Sequence, residues 1–329
     1  MLRSKCGSMN KYRGAALLLA MALASVGGWA QQYPSKPVRI VVPFAPGGAT
    51  DIVTRVVAQR LSDLWAQSVV VDNRAGAGGN IGADIVAKAA PDGYTVLMTS
   101  GSIVTANQHI YKRMPFDPSR DLAAVTNVAS GPQIIAVNAA FSAKTLKELI
   151  DLARAKAKSL TFGSAGIATQ THLAAESFAF AAGIDVTHIP YKGEGPALID
   201  LLAGQIQFVT PNLSAAIGFV QQGKIRALAV TSKERAKQVP NVPTVAETLP
   251  GFENLGWFGF MAPTGTPKTV IGKLHEDTVK VLQSTDVRAR FEQLGMVAVG
   301  NSPEEFARAI REETARWARI IRSRKLYVE

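Results

Sequence analysis

Two segments of the chain combine residue types that suit the binding of an anion. Pro43-Phe44-Ala45-Pro46-Gly47-Gly48-Ala49-Thr50-Asp51 follows the β-branched run 38–42 and precedes apolar residues at helical spacing (Ile52, Val53, Val56, Val57, Leu61, Leu64). Two glycines let backbone N–H groups come close to a bound group. Thr50 or Asp51 then opens a helix, whose first N–H groups have no partner within the helix. A strand, a glycine-rich turn and a helix start together make an anion site. An ordinary strand-to-helix turn with a helix cap uses the same residue types. The arrangement recurs at Gly163-Ser164-Ala165-Gly166-Ile167-Ala168-Thr169-Gln170-Thr171-His172, between the strand 160–162 and a helical segment 171–181. Two such turns, each at the carboxyl end of a strand, fit a ligand gripped from both sides.

Other chemistry finds little support. The chain has no G-x-S-x-G elbow and no P-loop, and Cys6 is its only cysteine. His109, His172, His188 and His275 show no metal-ligand spacing. His172 suits either a ligand bond or a structural one. Gly76-Ala77-Gly78-Gly79-Asn80-Ile81-Gly82 imitates a dinucleotide fingerprint but follows the second strand rather than the first of its unit. Tyr191-Lys192-Gly193-Glu194-Gly195 ends a strand in a way that suits either a cleft wall or a solvated loop. Trp257 and Phe258 read as core, with Trp257 the one that could face a cleft. These readings predict no enzyme, no metal and no cofactor.

The elements that must position these turns alternate. Strands are expected over 38–42, 68–71 and 94–98 with helices between them. The series restarts with a helix over 146–157, strands 160–162, 186–190, 206–209 and 225–231, and helices 171–181 and 197–203. Such alternation indicates α/β architecture with mostly parallel sheets. Two series in 329 residues suggest two lobes, because single cores seldom grow beyond about 250 residues. Near the end, Ser302-Pro303-Glu304-Glu305 is a capping box. The apolar stripe Phe306, Ile310, Trp317, Ile321 behind it predicts a docked helix, with Arg308, Arg311, Arg316 and Arg319 on a solvated face.

The N-terminus predicts export. Arg3, Lys5, Lys11 and Arg13 precede an apolar run over 15–24, and Gly28-Trp29-Ala30 supplies a small-residue cleavage site. The run is shorter than the roughly 20 residues a membrane span needs. Cleavage near Ala30 would leave a periplasmic chain with no cysteine. The formal charge is +11, from 36 basic and 25 acidic residues. Four of the basic residues and none of the acidic ones lie in the leader, so the remainder carries +7. A positive field speeds encounter with anions. No basic stripe interleaved with aromatics points to nucleic acid.

In order along the chain, 43–48 with Asp51, Asn73-Arg74 with 76–82, Pro91-Asp92-Gly93-Tyr94, 162–166, Pro190-Tyr191-Lys192-Gly193 and Pro240-Asn241-Val242-Pro243-Thr244-Val245-Ala246-Glu247 carry a likeness. On these residues the chain resembles the Bug-type extracytoplasmic solute receptors of tripartite tricarboxylate transporters. The resemblance implies a type II periplasmic-binding-protein fold with the ligand between two lobes. The chain would cross twice, giving residues 31–130 plus 255–329 as one lobe and 131–254 as the other. By position it implies carboxylate contacts at Gly48, Ala49, Thr50 and Asp51 in one lobe and at Ser164, Ala165, Gly166, Thr169 and His172 in the other. Ser100, Gly101 and Ser102 would line the same cleft, and Phe44, Tyr191 and Asn212 complete the expected set. Thr210-Pro211-Asn212 stands where many members carry Phe-Asp-Asn, which suits a ligand without an ammonium group or a neutral cleft wall. The implied protein is a monomer that delivers a small organic anion to the transporter's membrane subunits. A sensor subunit reporting the same ligand to a signalling protein is the alternative.

Overall fold

The computed structural model describes residues 33–327 apart from Lys325. The expected leader lies outside these residues. Residues from Lys36 onward form one compact unit. Of the preceding unit only Tyr33, Pro34 and Ser35 are described, with a cis peptide at Tyr33–Pro34.

The chain begins with β1 (Val38–Val42), α1 (Ala49–Trp65) and β2 (Val69–Asn73). A 3-10 turn (Ala77–Gly79) runs into α2 (Asn80–Ala87), and β3 (Thr95–Ser100) follows. Short helices α3 (Gly101–Thr105), α4 (Asn107–Ile110) and α5 (Pro118–Asp121) lead to β4 (Leu122–Pro132). The second series is β5 (Ile134–Asn138), α6 (Leu146–Ala155), β6 (Thr161–Ser164), α7 (Gln170–Ala182), β7 (Thr187–Pro190), α8 (Glu194–Leu202), β8 (Phe208–Val209), α9 (Leu213–Gln221) and β9 (Ile225–Val230). β10 (Leu255–Pro263), α10 (Lys268–Gln283), α11 (Thr285–Gln293), β11 (Val297–Ala298) and α12 (Pro303–Arg324) complete it.

Two sheets result, ordered β11-β4-β10-β3-β1-β2 and β7-β6-β8-β5-β9. Leaving aside β11, they share one plan. Three strands of parallel sense lie in the order second, first, third; next comes a strand that enters from the other sheet's stretch of chain, and then a fourth. β1 pairs in parallel with β2 and β3, as β6 does with β7 and β8. β10 runs antiparallel to β3 and β4, and β5 antiparallel to β8 and β9. The sheets are therefore mixed, where alternation suggested mostly parallel pairing. The sequence pattern reports the βαβ units, but an entering strand arrives from the opposite direction.

The crossovers fall between Pro132 and Ile134 and between Val230 and Leu255. Thr231 ties them together. Its hydroxyl accepts from the Gln133 N–H at 2.8 Å and donates to the Asn254 carbonyl at 2.7 Å. α12 starts as expected. The Ser302 hydroxyl accepts from the Glu305 N–H, and the Glu305 carboxylate accepts from the Ser302 N–H. It returns to the first sheet, burying Phe306, Trp317 and Ile321. Phe306 joins a core with Val41, Phe44, Leu97, Ile103 and Met261.

Candidate functional site

The corresponding strands β1 and β6 each run into a loop and then a helix start, and both loops open on the same cleft. The two series of elements are in contact across it. Ala45 N–H donates to the Lys192 carbonyl at 2.9 Å, and Gln170 exchanges two hydrogen bonds with the Trp257 backbone at 2.7 and 3.2 Å. Tyr111 donates to the Ile167 carbonyl at 3.1 Å. The glycine cluster 76–82 serves this approach. A Cβ on Gly78 would lie 2.3 Å from the Ile167 carbonyl oxygen.

Between the loops lies a small cavity, lined by Phe44, Gly48, Thr50, Ser100 and Phe258 from the first series of elements and by Ala165, Thr169, Gln170, Thr171, Glu194 and Asn212 from the second. Seven of the fifteen residues expected at the ligand thus meet on one cavity: Phe44, Gly48, Thr50, Ser100, Ala165, Thr169 and Asn212. Ser100 is 3% exposed, and among the described residues its hydroxyl has no hydrogen-bond partner. The Asn212 side-chain carbonyl is likewise unpaired among them.

Several of the other expected residues hold the loops in shape. Asp51 accepts from the Gly47 N–H at 3.1 Å, from Asn73 at 3.0 Å and from Arg55 at 3.0 Å. Burial pushes its carboxyl up, but these bonds outweigh burial and keep it below the usual carboxylate value. The Ser164 hydroxyl donates to the Gly166 carbonyl, accepts from the Gly166 N–H and meets His188 Nε2 at 2.6 Å. His172 Nδ1 accepts from the Ala168 N–H at 3.1 Å, and burial lowers its pKa to about 4, so the ring is neutral. Tyr191 donates to Asp200 at 2.6 Å. Gly101 lies against Trp257, its absent Cβ 2.7 Å from the indole. Ser102 lines a neighbouring depression with Gln170, Leu173 and Trp317. Ala49 offers its N–H, which is already taken.

The partner of that N–H is the residue the sequence missed. Glu194 opens α8 and is 6% exposed. Its Oε2 accepts from the Ala49 N–H at 2.6 Å, and its Oε1 accepts from the backbone and side-chain N–H groups of Asn212 at 2.8 and 2.7 Å. Burial raises its pKa against the pull of those bonds. Asn212 thus meets a carboxylate from the start of α8, 18 residues away in sequence. The sequence signal was present: an acid set between Gly193 and Gly195 at a helix start. Gln170, Thr171 and Phe258 gave no such signal. Among the described residues no group of His, Cys, Asp and Glu side chains could hold a metal ion.

Comparison with known proteins decides the family. The model of the tripartite tricarboxylate transporter family receptor matches residues 53–326. The chain belongs to this receptor family. The periplasmic binding protein BugD is 34% identical, with a TM-score of 0.87 over 90% of this chain and 100% of its own. The R. palustris protein Rpa4515, solved with adipate, is 35% identical, with a TM-score of 0.86 over 88% and 97% of the two chains. MatC from Rhodopseudomonas palustris, with bound malate, is 30% identical, with a TM-score of 0.84 over 88% and 100%. The receptor has the two-lobed type II periplasmic-binding-protein fold. No described helix is long and apolar enough to cross a membrane.

Proposed function

We propose that this receptor captures a small organic carboxylate in the periplasm and presents it to the membrane subunits of a tripartite tricarboxylate-type transporter. The observation that carries the reading is the meeting of two corresponding strand-to-helix loops, 43–48 and 165–169, on one cavity. Thr50 and Ser100 supply hydroxyl groups there, and charge-assisted hydrogen bonds of this kind contribute about 1.5–3 kcal/mol each. Dicarboxylates in Rpa4515 and MatC support the ligand class. In this reading residues 31–130 with 255–329 move against 131–254, hinging beside the Gln133–Thr231–Asn254 contact, and the leader is removed near Ala30 before the receptor acts.

The test is calorimetry with malate and adipate against their dimethyl esters. The acids should bind and the esters should not, because an array of donors loses its charged partner. Equal affinity for acid and ester would rule out an anion site.

A further inference from the structure

Glu194 does from within the protein what a ligand's carboxylate is expected to do from outside. It lies on the N–H of Ala49, the first residue of α1, and on Asn212, which caps the start of α9. Both are helix starts, where backbone dipoles leave partial positive charge. The fit is built into the loops on either side. The flanking Gly193 and Gly195 press against the first loop, with their absent Cβ atoms 3.0 Å from the Ala45 nitrogen and 2.6 Å from the Pro46 carbonyl oxygen. A Cβ on Gly48 would lie 3.1 Å from Glu194 Oε2.

We infer that Glu194 is a tethered stand-in for a ligand carboxylate: it holds the anion seat at the start of α1, links the two lobes there, and must give up the Ala49 N–H when a ligand carboxylate takes that place. The inference rests on the carboxylate-receptor reading and goes beyond it by naming what the ligand competes with.

Three features lead to it. One N–H cannot serve two carboxylates, so the occupants exclude each other. No Lys, Arg or His bonds to Glu194 among the described residues, so a second anion beside it would meet like charge in a poorly screened cavity. Displacement is also cheap in bonds. When the lobes part, Asn212 stays with Glu194 because both belong to the second series of elements, and of the three Glu194 bonds only the one to Ala49 is lost. The unpaired Ser100 hydroxyl beside Thr50 then offers the incoming group a partner that Glu194 does not use.

The experiment compares wild type with Glu194→Ala and the same-shaped Glu194→Gln, each unfolded and refolded to strip ligand, and each checked for an intact thermal transition. Malate and adipate are titrated by calorimetry, and small-angle scattering gives the radius of gyration without ligand. Removing the internal competitor should tighten binding by at least tenfold in Glu194→Ala and by a smaller factor in Glu194→Gln. It should also enlarge the radius of the stripped protein. Unchanged or weaker binding in both variants would overturn the inference, as would a Glu194-dependent preference for aspartate over malate, which makes Glu194 a direct ligand contact. If no carboxylate binds any of the three proteins, the ligand reading fails by itself. The scattering then still decides the link: a larger radius in the variants keeps it, and an unchanged one ends it.

Discussion

His172 and His188 stack face to face, with ring centroids 4.1 Å apart, and Phe162 covers His188 at 4.7 Å. The pair lies directly behind the second loop, one ring holding the Ala168 N–H and the other meeting Ser164. Burial brings His172 to about 4, and burial with its neighbour's charge brings His188 to about 3.

Stability should therefore fall as the solution is acidified. An unfolded histidine titrates near 6.5. Below that pH the unfolded chain takes up protons that the folded pair refuses until about pH 4. The contribution is complete above pH 6.5 and is lost as pH falls, by about 2 kcal/mol per histidine between pH 7 and 5. Urea unfolding at the two pH values checks this. His188→Phe keeps a ring in the stack and should remove roughly half of the slope. An identical slope in that variant would mean that the pair is not held neutral.

Gly78→Val should disable closure rather than merely strain the turn. Gly78 has φ +62° and stands 2.7 Å, measured from its absent Cβ, from the Tyr111 hydroxyl as well as against Ile167. Gly223→Ala is the control, because its φ is +67° but nothing lies within 4 Å of the added carbon. Both carry about 1–2 kcal/mol of backbone strain. Only Gly78→Val should weaken malate or adipate binding, by tenfold or more, and raise the radius of gyration with ligand. Equal affinities in the two variants would show that the lobes need not meet there.

Ser164→Ala separates a scaffold hydroxyl from a ligand contact. The hydroxyl is buried among the Gly166 backbone and His188, and stranding such partners costs about 1–3 kcal/mol. Denaturant unfolding should register that loss, while carboxylate affinity changes by less than tenfold. A large drop in affinity at unchanged stability would instead place Ser164 on the ligand.

Local order determined much of this protein. The run 38–42, the loop 43–48 and the helix after it are contiguous, so propensity, turn chemistry and the unpaired N–H groups of a helix start could be read directly from the sequence. The same holds for 160–172 and for the Ser302–Glu305 box, whose reciprocal bonds span three residues. What only the tertiary structure decided depends on partners far apart in the chain. Glu194 and Ala49 are 145 residues apart, and nothing local to Gly193-Glu194-Gly195 says which helix start it will meet. β10 pairs with β3 and β4 across more than a hundred residues of chain, so pattern alone showed parallel units and not the antiparallel strand set among them. Asp51, Ser164 and His172 had the residue types of ligand contacts, but their polar atoms bond within their own loops and helices and to the adjoining strands at Asn73 and His188. Residue type and spacing limit what a side chain can bind, and the folded environment selects which of its possible partners it meets.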